Sequence, residues 1–231
     1  MKPWIKAIIA SAVASISVGA SAAAFTVYGQ IAGDPRPGNP DNLFINVTIT
    51  GDTTSDSVSW LIDIASPLHP NAKLDEFYFN VVGAASLFTF SGFNPAGWDV
   101  TSPADVQGGG TFTPTFLFQA LDPSGPPNAD DVTNTQDLSF TMTRSSGNFS
   151  ADDFLLASDS CTTADPLGCG QLGAHLQSLT AAPGQSDSGF LIGDYSDSPN
   201  PPVLIPEPAS VALAGLALAA AGVASRRRRV L

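Results

Sequence analysis

Leu43-Phe-Ile-Asn-Val-Thr-Ile49 and Val58-Ser-Trp-Leu-Ile-Asp-Ile64 decide the fold of this chain. In the first, Leu43, Ile45, Val47 and Ile49 share one parity; in the second, Val58, Trp60, Ile62 and Ile64 do. Side chains on a strand alternate between faces, so apolar residues at every second position give an element with one buried side. Gly51-Asp-Thr-Thr-Ser-Asp-Ser57 between them is rich in turn formers.

Working outward, the same reading recurs. Phe25-Thr-Val-Tyr-Gly-Gln-Ile31 places Phe25 and Val27 on one parity, with Gly29 read as an interruption. Phe77 to Val82, Leu87 to Phe90, Phe112 to Leu121, Leu138 to Met142, Ala174 to Leu179 and Phe190 to Ile192 are further short strand candidates. Glu and Lys are scarce, Asp, Asn, Ser, Thr, Gly and Pro are plentiful, and 14 Phe supply a core. That is a supply of turn and strand formers. No stretch between the two ends carries a 3.6-residue apolar period, although Phe149 to Ala157 can form a helical turn or two, with Ser150 as cap. Nine or ten short strands predict an all-β, single antiparallel β-sandwich with jelly-roll or immunoglobulin-like layering.

Both ends read as addresses. Lys2 and Lys6 precede the apolar run Ile5 to Gly19, and Ala20-Ser21-Ala22 offers small residues at the positions a signal peptidase reads. Cleavage is expected after Ala22, with a second legal frame after Ala24. At the other end Pro206-Glu207-Pro208 is followed by Ala209 to Ala224, in which Ser210 is the only polar side chain, and then by Arg226, Arg227, Arg228 and Arg229. A bilayer core takes roughly 20 apolar residues as helix, with about 17 the lower limit. This short, Ala-rich span suits a temporary anchor, its arginines cytoplasmic and everything before Pro206 outside.

The order Pro-Glu-Pro, apolar span, arginine cluster resembles the PEP-CTERM sorting signal of exported bacterial proteins, which a membrane-embedded exosortase reads and cuts. The resemblance covers about an eighth of the chain. It implies exosortase as partner, transient anchoring in the inner membrane, and delivery to the cell surface or extracellular matrix, in association with exopolysaccharide. The organisation expected is a signal peptide helix over residues 1–22, a β ectodomain over 23–193, a Pro/Ser/Asp-rich stalk over 194–204, and a sorting signal with a transmembrane helix over 205–231.

The charge is confined to the middle. Two of nine basic residues lie in the leader and four in the tail, leaving Arg36, Lys73 and Arg144 against 20 acids, a net charge of −17 over residues 23–205. Nucleic acid is excluded as a partner, because binding it requires neutralising phosphates with Lys and Arg. So acidic a surface stays soluble and attracts divalent cations. Cys161 and Cys169 are the only cysteines. In an oxidising compartment their spacing predicts a disulfide closing a short loop, worth about 2–3 kcal/mol on the chain-entropy account.

Catalytic patterns are wanting. His69 stands in a turn, Pro67-Leu-His-Pro70, and His175 in a strand; no nucleophile elbow is present. Asp130-Asp131 and Asp152-Asp153 are carboxylate pairs of the kind glycoside hydrolysis needs, but neighbours in a loop read as solvated surface. No metal site is expected and no cofactor; a loose Ca²⁺ site in the Asp-rich loops is the only metal reading left open. Trp98, Tyr78 and Tyr195 are candidates for stacking on sugar rings, against the plainer reading that Trp98 plugs a loop. Thr-x-Thr pairs at Thr48/Thr50, Thr111/Thr113/Thr115, Thr133/Thr135 and Thr141/Thr143 lack a fixed spacing and reflect threonine's strand preference. The expected function is that of a non-enzymatic surface or matrix protein. A carbohydrate-binding, carbohydrate-cleaving or Ca²⁺-binding module is the alternative.

Overall fold

The computed structural model describes residues 21–33, 42–102, 104–105, 115–122, 130–160, 169–181, 183–184 and 186–199. The leader up to Ala20, the tail with Pro206, Glu207, Pro208 and Arg226 to Arg229, and Cys161 lie outside them. No helix among the described residues is long and apolar enough to cross a membrane.

Thirteen strands are present among the described residues: β1 (Ala24–Ala32), β2 (Phe44–Asp52), β3 (Ser57–Ile64), β4 (Lys73–Phe79), β5 (Phe88–Asn94), β6 (Asp99–Thr101), β7 (Ala104–Asp105), β8 (Thr115–Phe116), β9 (Phe118–Leu121), β10 (Val132–Thr133), β11 (Leu138–Arg144), β12 (Leu172–Gln177) and β13 (Gly189–Ser196). Eleven of them form one sheet in the order β5-β11-β3-β2-β1-β13-β12-β4-β9-β6, with β10 sharing the edge of β4, and β7 pairs β8 separately. Every pairing is antiparallel.

The all-β expectation holds; the sandwich does not appear as such. The strands make one continuous sheet that curls until its end strands β5 and β6 approach each other, a nearly closed barrel. Right-handed strand twist and two bulges supply the curl. Across the seam, where no ladder joins the ends, rings take over: Phe90 of β5 lies 4.9 Å from Phe118 of β9, centroid to centroid.

The inward rows are those legible in the sequence. Leu43, Ile45, Val47, Ile49, Val58, Trp60, Ile62 and Ile64 are all buried in one cluster. Trp60 sits at its centre, 4.7 Å from Phe79, 5.4 Å from Phe140 and 5.7 Å from Phe154. Gly29 does not interrupt β1. It occupies an inward position between Val27 and Ile31, where a Cβ would collide with the Leu172 side chain. Gly92 has a different duty: its φ of 67° accommodates an extra residue in β5 opposite β11.

Two boundaries shift. The helix predicted around residue 150 is a single turn, α1 (Asp152–Leu155), whose N-cap position is Ala151 and makes no side-chain cap bond. Ser150 takes part the other way round, its backbone N–H donating to Asp153 Oδ2 at 2.7 Å, which is half of a capping box. Residues 194–196, expected to open a stalk, belong instead to β13, which runs through Ser196 against Tyr28 of β1. Tyr195 is an inward residue of that strand, its hydroxyl donating to the Asn80 carbonyl at 2.9 Å.

Candidate functional site

On the outer side of β4 and β12 a group of polar side chains converges that the sequence does not announce. Strand β4 has Leu74 pointing inward opposite Leu176, and Phe77 inward opposite Ala174. Two residues, Asp75 and Glu76, lie between these inward positions, while β12 has only His175 between Leu176 and Ala174. A bulge therefore turns Asp75 and Glu76, neighbours in sequence that a regular strand would send to opposite faces, toward the same side as His175.

The geometry is close. His175 Nδ1 stands 2.8 Å from Asp75 Oδ2 and 4.0 Å from Glu76 Oε2. One donor atom from each of the three residues falls within 4.8 Å of the others. The Gln177 amide donates to Asp75 Oδ2 at 2.6 Å, and the Gln119 amide to Glu76 Oε1 at 2.8 Å. The Tyr78 hydroxyl donates to Glu76 Oε2. Below the imidazole, Phe190 is stacked at 4.1 Å and 8°. The side chains of His175, Asp75 and Glu76 retain 13%, 21% and 18% exposure, so the group is sheltered yet reachable from solvent.

The two carboxyls are driven apart electrically. The hydrogen bond from His175 holds the Asp75 carboxyl below its ordinary value, against the opposing effect of burial. Burial pushes Glu76 up, and the nearby Asp75 charge adds to this, while the Tyr78 and Gln119 bonds and His175 work against it. Chemically, the arrangement is a mixed oxygen and nitrogen donor set with a half-desolvated carboxylate. It can hold a proton or a cation.

Of the remaining sequence candidates, Tyr78 reaches this group through its hydroxyl, and the others stand apart from it. Trp98 is 3% exposed and its indole N–H donates to the Asp130 carbonyl at 3.0 Å. A buried ring offers no face to a sugar, so the stacking reading of Trp98 is corrected to a loop plug. Tyr78 and Tyr195 are likewise buried. His69 is buried in its turn, where its Nδ1 accepts from the Thr180 amide at 3.2 Å. The carboxylate pairs serve the scaffold: Asp131 meets Lys73 at 2.5 Å, and Asp153 meets Arg144 at 2.6 Å. Among the described residues no cysteine is free; the expected Cys161–Cys169 disulfide involves Cys161, which lies outside them.

A signal for the missed residues did exist. In Lys73-Leu-Asp-Glu-Phe-Tyr-Phe79, Leu74 is of even parity and Phe77 and Phe79 are odd. A parity slip inside a strand marks a bulge, and here the slip falls on two acids.

Another surface emerges from register. Thr26, Thr50, Ser59, Thr141 and Ser91 are consecutive partners across β1, β2, β3, β11 and β5, all outward. Beside this row Ser57, Thr143 and Thr89 continue it, with Ser57 and Thr143 hydroxyls 3.0 Å apart. A groove of about 480 Å³ opens elsewhere, between the exit of β4 and the segment after α1, lined in part by Asn80, Val82, Phe116 and Leu156. Asn80 is already committed there, donating to the Ser158 carbonyl and accepting from the Leu117 amide.

Residues 204–229 match the family model of the PEP-CTERM protein-sorting motif. The chain is thus an exported protein with exosortase as its processing partner, sorted at the membrane and bound for the surface or the extracellular space. No curated protein and no solved structure matches the chain.

Proposed function

We propose that the chain is a non-enzymatic cargo of the exosortase route, freed of its leader by signal peptidase, held briefly in the inner membrane by its tail, and released into the exopolysaccharide matrix. The observation that carries this reading is the match to the sorting motif at residues 204–229, directly after an acidic all-β unit. A surface with 20 acids against three bases between the two ends disfavours adhesion to anionic lipid and favours release into a hydrated layer. The test is fractionation of producing cells. Protein expressed with its tail should be recovered from the matrix in processed form, and a chain expressed without residues 204–231 should lose matrix retention. Equal matrix recovery with and without the tail would contradict the proposal.

A carbohydrate-binding reading keeps one support, the uncharged hydroxyl row Thr26–Thr50–Ser59–Thr141–Ser91. Hydroxyls at strand spacing, about 4.8 Å apart, can exchange hydrogen bonds with a neutral polysaccharide lying across the strands. Saturable binding of the matrix polymer that is lost in Thr50→Lys/Thr141→Lys would establish it, and unchanged binding would remove it.

A further inference from the structure

We propose that Asp75, Glu76 and His175 form a binding site for a divalent transition-metal ion, with Zn²⁺ the best chemical match. Three observations converge on it. The first is the donor set. One imidazole nitrogen and two carboxylate oxygens are borderline ligands that suit Zn²⁺, whereas Ca²⁺ asks for six to eight oxygens.

The second is distance. Bonds of about 2.0–2.2 Å in tetrahedral geometry set neighbouring ligand atoms about 3.3–3.5 Å apart. His175 Nδ1 lies 2.8 Å from one carboxylate oxygen and 4.0 Å from the other, straddling that value. Shifts of well under 1 Å bring both to it. The ion would take the place of the proton between His175 and Asp75, that proton leaving or moving to Nε2, which has no hydrogen-bond partner among the described residues.

The third is support around the ligands. Gln177 holds Asp75, Gln119 and Tyr78 hold Glu76, and the Phe190 ring fixes the plane of the imidazole. Outer partners of this kind orient ligands before the metal arrives. The bulge matters most, because without the extra residue in β4 only one of the two acids would face His175. Three protein ligands leave a position for water, so the ion would be held at an open site.

The experiment is titration of the full chain, purified in detergent, with ZnSO₄ followed by calorimetry, and with CoCl₂ followed by visible absorption. The wild-type chain should take up one equivalent of each, with Co²⁺ bands typical of fewer than six ligands, and excess CaCl₂ should not displace the ion. Glu76→Gln, which preserves shape, and His175→Ala should each weaken binding by about tenfold or more. Circular dichroism separates a lost site from a lost fold. If His175→Ala fails to fold, Glu76→Gln and Asp75→Asn decide the matter. Absence of a one-to-one Zn²⁺ complex would overturn the proposal, as would binding that survives Glu76→Gln and Asp75→Asn, or displacement by Ca²⁺.

Discussion

Two stretches of the same sheet's outer surface have come to opposite characters. Across β1, β2, β3, β11 and β5 the outward positions repeat as a plain ladder of hydroxyls, Thr26, Thr50, Ser59, Thr141 and Ser91. Across β4 and β12, two acids and a histidine that is 100 residues from the first of them in sequence are pressed together beside buried aromatics. The first follows from register that stays regular from β1 to β11, the bulge at Gly92 falling just past the Thr141–Ser91 pair, and strand preference for threonine is satisfied there. The second follows from one additional residue. A bulge costs the ladder a pair and gains the ability to aim two consecutive side chains at one point. The cluster of titratable side chains lies at the bulge in β4.

The strongest way to break the comparison is to remove what both surfaces stand on. Trp60 lies under the hydroxyl face on β3 and touches Phe77 and Phe79 under the acidic one. Trp60→Ala should cost about 3–5 kcal/mol, and in urea denaturation both regions should be lost together. Loss of one region alone would show that they are separate cooperative units.

A smaller effect should distinguish the surfaces by pH. Asp75 sits below its ordinary value, so it adds stability that is present above its unfolded-state value and is lost as pH falls through the folded one. Glu76 sits above its ordinary value, so its ionised form is penalised, and that penalty lifts as pH falls through its raised value. On acidification, stability should therefore first gain from Glu76 and later lose from Asp75. Glu76→Gln should flatten the first phase and Asp75→Asn the second, each read from thermal melts across an acid series. Identical curves for wild type and both variants would mean the cluster is not formed.

Least of all should be felt on the regular face. Thr141→Val should change stability by no more than about 0.5 kcal/mol and leave the pH series untouched. A larger loss would mean that the hydroxyl rows hold the fold as well as covering it.

Legibility in the sequence tracks the same distinction. The parity of Leu43 to Ile49 and of Val58 to Ile64 specified strands and their buried faces directly. Tyr195 shares parity with Leu191 and Gly193, yet Asp194 and Ser196 on either side of it made it read as stalk. The curl of the sheet could not be read, because closure depends on which strands meet, and β13 joins β1 to β12 across long stretches of chain. Trp98 was ambiguous for a similar reason: the carbonyl that takes its indole N–H belongs to Asp130, 32 residues away. The Asp75–Glu76–His175 group needed both a bulge and a pairing of residues 100 apart, and only the parity slip after Leu74 hinted at either. The tail was plain, since an address must be recognised locally to work.

Local structure also bears on the leader. The Ala23 carbonyl accepts from the Thr53 amide at 3.0 Å, and Ala24 is paired with Asp52 in β1. A cut after Ala24 would take a residue from the first strand, whereas a cut after Ala22 leaves it whole.

The most direct test of the account is the intact mass of the protein recovered outside the cell, before and after thiol alkylation. The expected species begins at Ala23, ends ahead of the arginine cluster and gains no mass from alkylation without reduction. A species running from Met1 to Leu231, with two alkylated cysteines, would contradict it.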